Sequence, residues 1–245
     1  AYFASFNTAS RGVAILFNNN FEFEIKKIYK DIDGNFIIVY IKTVDTDLLI
    51  VNLYGPNDDD LEFYVQLEEL ITDLDVDNVI IGGDWNLVID FSLDYDNYKH
   101  YNNPKAQEQV HKMIQNSDLN DIWRDINPER RRYPWRRSNP VQQSRLDFFL
   151  ISDFLSTSIV DADIKAGYRT DHSMITINFS FAPPQKRSNF WKFNVSLLKD
   201  NIYVEEINET IKTVLDEYSA TPYDRENILQ IPKDCIQLII SDQLF

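Results

Sequence analysis

The sequence predicts an α/β fold in which two packed, mainly antiparallel β-sheets are flanked by helices, as in a four-layer α/β sandwich. Two observations predict it. Short runs rich in Ile and Val recur along residues 12–181, and a few segments of helical periodicity lie between them. The six glycines include no phosphate-binding pattern, which argues against a doubly wound nucleotide-binding fold.

The first four strand-like runs predict an antiparallel meander. Residues 12–17 are apolar, residues 21–29 alternate between apolar and polar side chains, and residues 36–44 follow the turn signal Asp33-Gly34. Residues 48–53 supply the fourth strand.

Two helices and a buried strand are predicted next. Pro56 and the three aspartates that follow end the preceding strand, and apolar residues then recur at helical spacing over residues 61–74. Residues 79–81 predict a short buried strand. The polar, Tyr-rich residues 90–103 predict a loop, and Pro104 is a favoured first-turn residue for a second helix.

The remaining residues predict four further strands and then a connector. These strands lie at residues 133–136, 146–151, 159–164 and 174–181. Pro183-Pro184 ends the domain. We therefore expect one domain over residues 1–182, and a linker with a helical connector over residues 183–245.

Composition excludes several classes of protein. With the single Cys235, the chain has no disulfide framework and no cysteine-built zinc site, and an intracellular location is expected. No apolar stretch approaches the roughly 20 residues of a membrane helix, so we expect no membrane partner. The net charge of −15 is unusual for a protein that binds nucleic acid.

Positive charge is concentrated in one stretch of the chain. Its arginines are Arg124, Arg130, Arg131, Arg132, Arg136, Arg137 and Arg145. Either they form a basic face on an acidic body, or they are ordinary solvated side chains.

Polar residues at the ends of apolar runs predict a site. In Gly82-Gly83-Asp84-Trp85-Asn86, the two glycines permit a tight turn and the close approach of a ligand. Asp84 could act as a base toward water or hold a cation, and Asn86 could fix that water or a phosphate oxygen. An ordinary Asp/Asn turn is the alternative. Tyr54, at the end of another strand, could touch a phosphate or simply line the rim.

Two later groups add a carboxylate and an imidazole. A lone carboxylate such as Asp147 is costly to bury in an apolar strand and requires a partner. His172 is the leading candidate, and Arg145 is the alternative. His172 could donate to a phosphate oxygen or relay a proton, and Asp171 could bind a metal or support its ligands.

Together these groups resemble the exonuclease–endonuclease–phosphatase superfamily, and more narrowly the apurinic-endonuclease-like domain of non-LTR (LINE-type) retrotransposons. The resemblance spans roughly residues 10–182. Its elements are Arg11-Gly12-Val13-Ala14-Ile15-Leu16, Asn52-Leu53-Tyr54-Gly55-Pro56-Asn57, Gly83-Asp84-Trp85-Asn86, Trp135-Arg136-Arg137, Ser144-Arg145-Leu146-Asp147-Phe148-Phe149 and Thr170-Asp171-His172. Residues 135–150 indicate the retrotransposon branch.

The resemblance implies a role for each site residue. Tyr54 contacts the target phosphate, Asp84 activates or orients the nucleophilic water, and Asn86 assists it. Asp147 orients His172, which stabilises the charged phosphorane.

The resemblance also implies a cofactor and a binding surface. Mg²⁺ is the expected cofactor, with Asp171 and Asp84 as its ligands in this chain, and no small-molecule cofactor is expected. The residues expected to bind nucleic acid are Trp135, Arg136, Arg137 and Arg145.

One departure from the family pattern bears on activity. The family carries an Asn on its first strand and a metal-binding Glu in a Gln-Glu-Thr context, both before the strand that matches Arg11, and this chain has neither. We therefore expect an N-terminally truncated fragment of a polyprotein, with a fold incomplete at its N-terminus and little or no activity. Residues 183–245 would then lead toward a reverse transcriptase.

The expected function is that of an Mg²⁺-dependent endonuclease that nicks target DNA to prime reverse transcription. Target DNA is the expected partner, element RNA would bind through missing parts of the polyprotein, and the location would be nuclear. The alternatives are a phosphatase or phosphodiesterase on the same scaffold, and a non-catalytic remnant.

Overall fold

The computed structural model describes residues 1–6, 12–44, 46–97, 103–165 and 170–180, and the backbone of residues 235–240. The described elements are β1 (Tyr2–Ser5), β2 (Gly12–Ile15), β3 (Glu24–Lys30), β4 (Phe36–Lys42), β5 (Asp47–Tyr54), α1 (Leu61–Thr72), β6 (Val79–Asp84), β7 (Tyr95–Asp96), α2 (Pro104–Asn116), β8 (Leu119–Asp121), α3 (Ile122–Ile126), β9 (Trp135–Ser138), β10 (Val141–Ser144), β11 (Asp147–Ser152), α4 (Asp153–Ser156), β12 (Ile159–Lys165), β13 (Met174–Ser180) and β14 (Cys235–Ile240).

A six-stranded sheet in the order β3-β4-β5-β6-β11-β8 organises the molecule. Strands β3, β4 and β5 form the predicted antiparallel meander. Strand β6 pairs parallel to β5, because α1 carries the chain back across the sheet between them. Strand β11 is antiparallel to β6, so the end of β6 and the start of β11 share one edge of the sheet.

Helices α1 and α2 cover one face of this sheet. Helix α1 begins where Asp60 accepts a hydrogen bond from the Phe63 amide, as the aspartate run predicts. Leu67 of α1 and Val110 of α2 pack in one core with side chains of β4, β5, β6 and β11.

A second β layer covers the other face. It contains the β1–β2 hairpin and the sheet β12-β13-β14. Val13, Ile164 and Ile177 pack in a second core against residues such as Ile37 and Phe149 of the six-stranded sheet. The predicted fold class is confirmed: the protein is mixed α/β, with packed antiparallel and mixed sheets and few helices. Four layers were predicted, and the described residues form three of them. These are the α1–α2 layer, the six-stranded sheet and the second β layer.

The structure departs from the prediction in the second half of the chain. Residues 90–103, predicted as a loop, contain the short strand β7. The strand predicted at residues 133–136 begins at Trp135, and an unpredicted strand, β10, pairs with it to form the β9–β10 hairpin (residues 135–144). The sequence of β10, Val-Gln-Gln-Ser, lacks the apolar alternation that would have identified it.

Part of the predicted connector, residues 235–240, is a β-strand. Ala1–Phe181 and Cys235–Phe245 belong to one unit, in which β14 pairs with β13. The predicted boundary at residue 182, the predicted helical connector up to residue 234 and Arg11 lie outside the described residues. In the described part of the chain, no helix has the length and apolar character needed to cross a membrane.

Candidate active site

Three of the predicted site residues lie side by side across the sheet. Tyr54 ends β5, Asp84 ends β6 and Asp147 begins β11. Tyr54 pairs in register with Asp84, and Asp84 with Asp147. Residues in register on neighbouring strands point to the same face, here the face toward the second β layer. Sheet register therefore brings together residues that are up to 93 positions apart (147 − 54).

Tight packing of backbones sets the shape of this strand edge. Gly83 has φ +147°, and a Cβ there would lie 1.9 Å from the carbonyl oxygen of Leu53. A Cβ on Gly55 would lie 2.4 Å from the carbonyl oxygen of Trp85. At Gly83 the space therefore accommodates the neighbouring strand, whereas the sequence had predicted the approach of a ligand.

His172 is the partner of Asp147, as predicted. The Nδ1 atom of His172 lies 2.9 Å from Asp147 Oδ2 and 3.1 Å from Oδ1. An antiparallel bridge between Trp135 and His172 and a 2.8 Å hydrogen bond from the Ser173 amide to the Pro134 carbonyl hold the histidine backbone. Because Nδ1 faces the carboxylate, Nε2 is the ring nitrogen directed away from Asp147.

Asp84 completes a compact group with this pair. One potential ligand atom each from Asp84, Asp147 and His172 all lie within 4.8 Å of one another. Asp84 and Asp147 are buried, and the His172 side chain is 18% exposed. Two carboxylates and an imidazole at this spacing suit a divalent cation.

Asn86 lies beside Asp84 in the β6–β7 loop (residues 85–94). Its backbone has φ +49°, and its amide N–H donates to Asp84 Oδ1 at 2.9 Å. Its side-chain Nδ2 donates to the carbonyl of Gly55 at 2.6 Å, which links it to the β5–α1 loop (residues 55–60). Asn86 therefore joins the two loops that follow the site strands.

Asp171 has a different environment from the other acids. Its side chain is exposed, and its carboxylate accepts a 3.3 Å hydrogen bond from the indole Nε1 of Trp135. Its carbonyl accepts a 2.8 Å hydrogen bond from the Arg136 amide. Of the two predicted metal ligands, Asp84 belongs to the group with Asp147 and His172, whereas Asp171 is bound to the β9–β10 hairpin.

The prediction that Arg145 binds nucleic acid requires correction. Its side chain is 1% exposed, and its Nε and Nη2 donate to the two carboxylate oxygens of Asp94 at 2.7 and 2.8 Å. Nη1 donates to Asp121 at 3.1 Å. Burial by itself lowers the pKa of Arg145, but the charges of Asp121 and Asp94 outweigh it and hold that pKa above its usual range. A guanidinium sealed in this way cannot reach a phosphate.

The other arginines of the cluster divide between internal pairing and exposure. Arg124 forms an ion pair with Asp94, and Arg132 with Asp163 at 2.7 Å. Arg136 and Arg137 are exposed on β9, in the same strand as Trp135. The basic face is therefore smaller than the sequence suggested, and it includes the hairpin that adjoins Asp171 and His172.

Tyr64 of α1 lies beneath the β6–β7 loop. Its hydroxyl donates a short hydrogen bond to the carbonyl of Trp85. Burial raises the pKa of Tyr64 well above its usual value, and the charges of Asp84 and Asp60 raise it further. The tyrosine therefore stays neutral and donates to the loop between Asp84 and Asn86.

Sequence reasoning missed the residues that support this site. Asp94 and Asp121 hold Arg145, and Asn103 and Gln107 donate side-chain hydrogen bonds to the β6–β7 loop. Their partners are distant in sequence, so no local pattern identifies them. Only Asn103 carried a signal, because an Asn before Pro104 is typical of a helix N-cap.

Comparison with known proteins identifies a family and several relatives. Residues 2–172 match the model of the Endonuclease/Exonuclease/phosphatase family. The chain is 27% identical over 218 residues to an uncharacterized 149 kDa protein of transposon TX1 from Xenopus laevis. That alignment covers 85% of this chain, and the chain spans 16% of the length of the transposon protein.

Solved structures share the fold at low sequence identity. The endonuclease domain of TRAS1, a telomere-specific non-LTR retrotransposon, has a TM-score of 0.51 at 16% identity, with 64% of this chain and 68% of that one covered. The Neisseria 3′ phosphatase NExo bound to a product DNA hairpin has a TM-score of 0.54 at 16% identity, with 65% and 72% covered. The AP endonuclease LMAP from Leishmania major has a TM-score of 0.51 at 18% identity, with 59% and 54% covered.

These findings confirm the resemblance predicted from the sequence motifs. The family match includes the strands that carry Tyr54, Asp84 and Asp147, and it ends at His172. The family match covers well over half of the residues of this chain. The chain therefore belongs to the endonuclease/exonuclease/phosphatase family.

Proposed function

We propose that this chain is an endonuclease domain of a non-LTR retrotransposon, and that it nicks target DNA in an Mg²⁺-dependent reaction. The observation that carries this proposal is the convergence of Asp84, Asp147 and His172 within 4.8 Å at one strand edge. The exposed Arg136 and Arg137 lie on the hairpin that bonds to the residue before His172.

A divalent cation fits the donors of this site. Asp84 supplies the primary ligand in our proposal, because Asp147 is engaged by His172. Asp171 is a candidate for a second ligand through a water or a small side-chain movement. When bound, Mg²⁺ would neutralise phosphate charge and stabilise the leaving 3′ oxygen.

The protein side chains carry the other steps. Asp84 accepts a hydrogen bond from the attacking water and orients it, while Asn86 lies beside it to fix the water or a phosphate oxygen. Asp147 accepts a hydrogen bond from Nδ1–H of His172 and stabilises its imidazolium form, in which Nε2–H donates to the charged phosphorane. Tyr54, in register with Asp84, contacts the target phosphate.

The charge distribution favours DNA binding at one place. A net charge of −15 repels DNA from most of the surface. The local contacts with DNA then come from the β9–β10 hairpin, through Trp135, Arg136 and Arg137. The two arginines contact the phosphates. Binding should weaken steeply as salt concentration rises.

The wider context is also a proposal. By analogy with the TX1 protein, of which the chain spans 16%, the domain would work within a longer polyprotein. The nick would supply a 3′-hydroxyl that primes reverse transcription in the nucleus, and other parts of the polyprotein would bind element RNA.

The test is a supercoil-relaxation assay at low salt with residues 1–245 in excess over plasmid. We expect slow turnover, since residues 1–245 contain no Gln-Glu-Thr segment, and enzyme excess makes a single slow turnover visible. Mg²⁺-dependent nicking that Asp84→Asn abolishes would support the proposal. A folded chain that binds DNA but never nicks it would be the non-catalytic remnant. Release of phosphate from a 3′-phosphorylated oligonucleotide, without nicking, would establish the phosphatase alternative.

A further inference from the structure

The first turn of α2 binds both loops that follow the site strands, and we infer that Asn103 and Gln107 are positioning residues for the proposed cleavage. Neither residue reaches the group formed by Asp84, Asp147 and His172 in the contacts described above. The inference rests on the proposed function, and its test separates the two.

Asn103 connects the two loops through a single amide. Its Nδ2 donates to the carbonyl of Asn86 at 3.1 Å and to the carbonyl of Asn57 at 3.4 Å. The residue is 8% exposed, so water competes little for these bonds. The β6–β7 loop and the β5–α1 loop are therefore held at one point.

The N-terminus of α2 and the β5–α1 loop are joined by hydrogen bonds in both directions. Asn103 occupies the N-cap position at φ +48°, but its side chain makes no bond to its own helix. Instead, Asp59 of the loop accepts the amides of Lys105 and Ala106, both at 2.9 Å. An N-cap side chain usually satisfies these amides itself. Here the loop caps the helix, and the helix cap residue binds the loops.

Gln107 adds a second point of attachment one turn along α2. Its Nε2 donates to the carbonyls of Val88 at 2.8 Å and Ile89 at 3.0 Å. Together with Asn103, it fixes three carbonyls of the β6–β7 loop, those of residues 86, 88 and 89. The helix itself is anchored because Ala106, Val110 and Met113 are buried in the core.

These contacts bear on the position of Asn86. Its left-handed backbone is sparsely populated by residues other than glycine, so it needs support from its surroundings. Its amide donates to Asp84 Oδ1, and a shift of the loop would therefore move both Asn86 and the Asp84 carboxylate. A misplacement of about 1 Å can reduce a reaction rate by about 100-fold.

The variants keep the backbone while removing the contacts. Asn103→Gly tolerates φ +48° and removes the amide. Gln107→Glu keeps the shape and replaces the donor to two carbonyls by an acceptor. Gln109→Glu is the matched control, because Gln109 lies on the same helix and donates at 2.6 Å to Glu68 of α1, away from the loops.

Two measurements on the folded 245-residue chain decide the question. In single-turnover nicking, we expect Asn103→Gly and Gln107→Glu to lower the maximal rate by about 10- to 100-fold, with the half-saturating protein concentration unchanged. Amide hydrogen exchange across residues 85–89 should accelerate in both variants. The control should lose stability without either change.

Each outcome bears on one of the two claims. A wild-type rate in Asn103→Gly, or an equal rate loss in Gln109→Glu, would refute the positioning role. If residues 1–245 do not nick DNA, the rates carry no information on positioning, and exchange across residues 85–89 alone judges the attachment. Unchanged exchange in both variants would then refute it.

Discussion

Arg145 and Asp147 lie two positions apart in the sequence, and each forms an ion pair or hydrogen bond with an ionisable side chain. The two pairs differ in how much of their side chains solvent can reach. Arg145 is 1% exposed and its guanidinium bonds to both Asp94 and Asp121. The Trp123 and Phe148 rings lie 5.6 and 5.3 Å from its carbon centre. The Asp147–His172 pair leaves the imidazole 18% exposed, beside a third acid, Asp84.

The difference is in how completely the fold encloses each pair. Acids from two other chain segments surround the guanidinium, so its charge stabilises the junction between β10 and β11. Asp147 faces Nδ1 of His172, so Nε2 is directed away from the carboxylate. Arg145 and Asp147 belong to the same short motif, yet they differ in accessibility. The reason is how many of the polar atoms of each pair the fold encloses.

The largest expected effect is on the reaction. Asp147→Asn should lower the nicking rate by about 100- to 10,000-fold, because the amide no longer stabilises the His172 imidazolium whose Nε2–H donates to the phosphorane. The free energy of unfolding should change by less than about 1 kcal/mol. Single-turnover gels and urea denaturation measure the two quantities. A wild-type rate would remove Asp147 from the mechanism.

The second effect is on stability. Arg145→Met leaves the buried Asp94 and the partly buried Asp121 without their main counter-charge, and we expect the free energy of unfolding to fall by about 3–5 kcal/mol. Urea denaturation of Arg136→Met, the same change at an exposed position, should show a loss within about 0.5 kcal/mol. Equal losses in both variants would contradict the division between the two arginines.

The third effect is on DNA binding. Replacing Arg136 or Arg137 by Gln should reduce the slope of log affinity against log salt concentration by about 0.9 per residue, if each contacts one phosphate. Fluorescence anisotropy with a DNA duplex over a salt series measures this slope. A loss of slope in Arg145→Met but not in these variants would reverse the assignment of the basic surface.

The smallest effect concerns pH and Tyr64. Because its pKa is raised in the folded state, the tyrosine of the unfolded chain ionises first, from about pH 10. Its contribution to stability is therefore complete below that pH and is lost as the pH rises toward the folded pKa. Tyr64→Phe should be about 1 kcal/mol less stable at pH 7, and this deficit should shrink above pH 10. A constant deficit in alkaline urea titrations would argue against the raised pKa.

The sequence alone predicted most of the elements and the three residues that converge at the strand edge. The meander, α1 and α2 follow from periodicity and turn residues, which act over a few positions. Asp84 and His172 were predicted from short motifs. The cost of burying a lone carboxylate predicted that Asp147 has a partner, for which Arg145 was the alternative to His172. In each case the information is local, or depends on one pair of residues.

Only the tertiary structure decided which polar residues are enclosed. Arg145 had the local signature of a DNA contact, but acids at positions 94 and 121 enclose it. Asp171, predicted as a metal ligand, stays exposed and accepts a hydrogen bond from Trp135. The support from Asn103 and Gln107 likewise depends on loop residues 17 to 46 positions away. The physical reason is that the cost of burying a charge or an amide depends on which distant donors and acceptors the fold delivers to it.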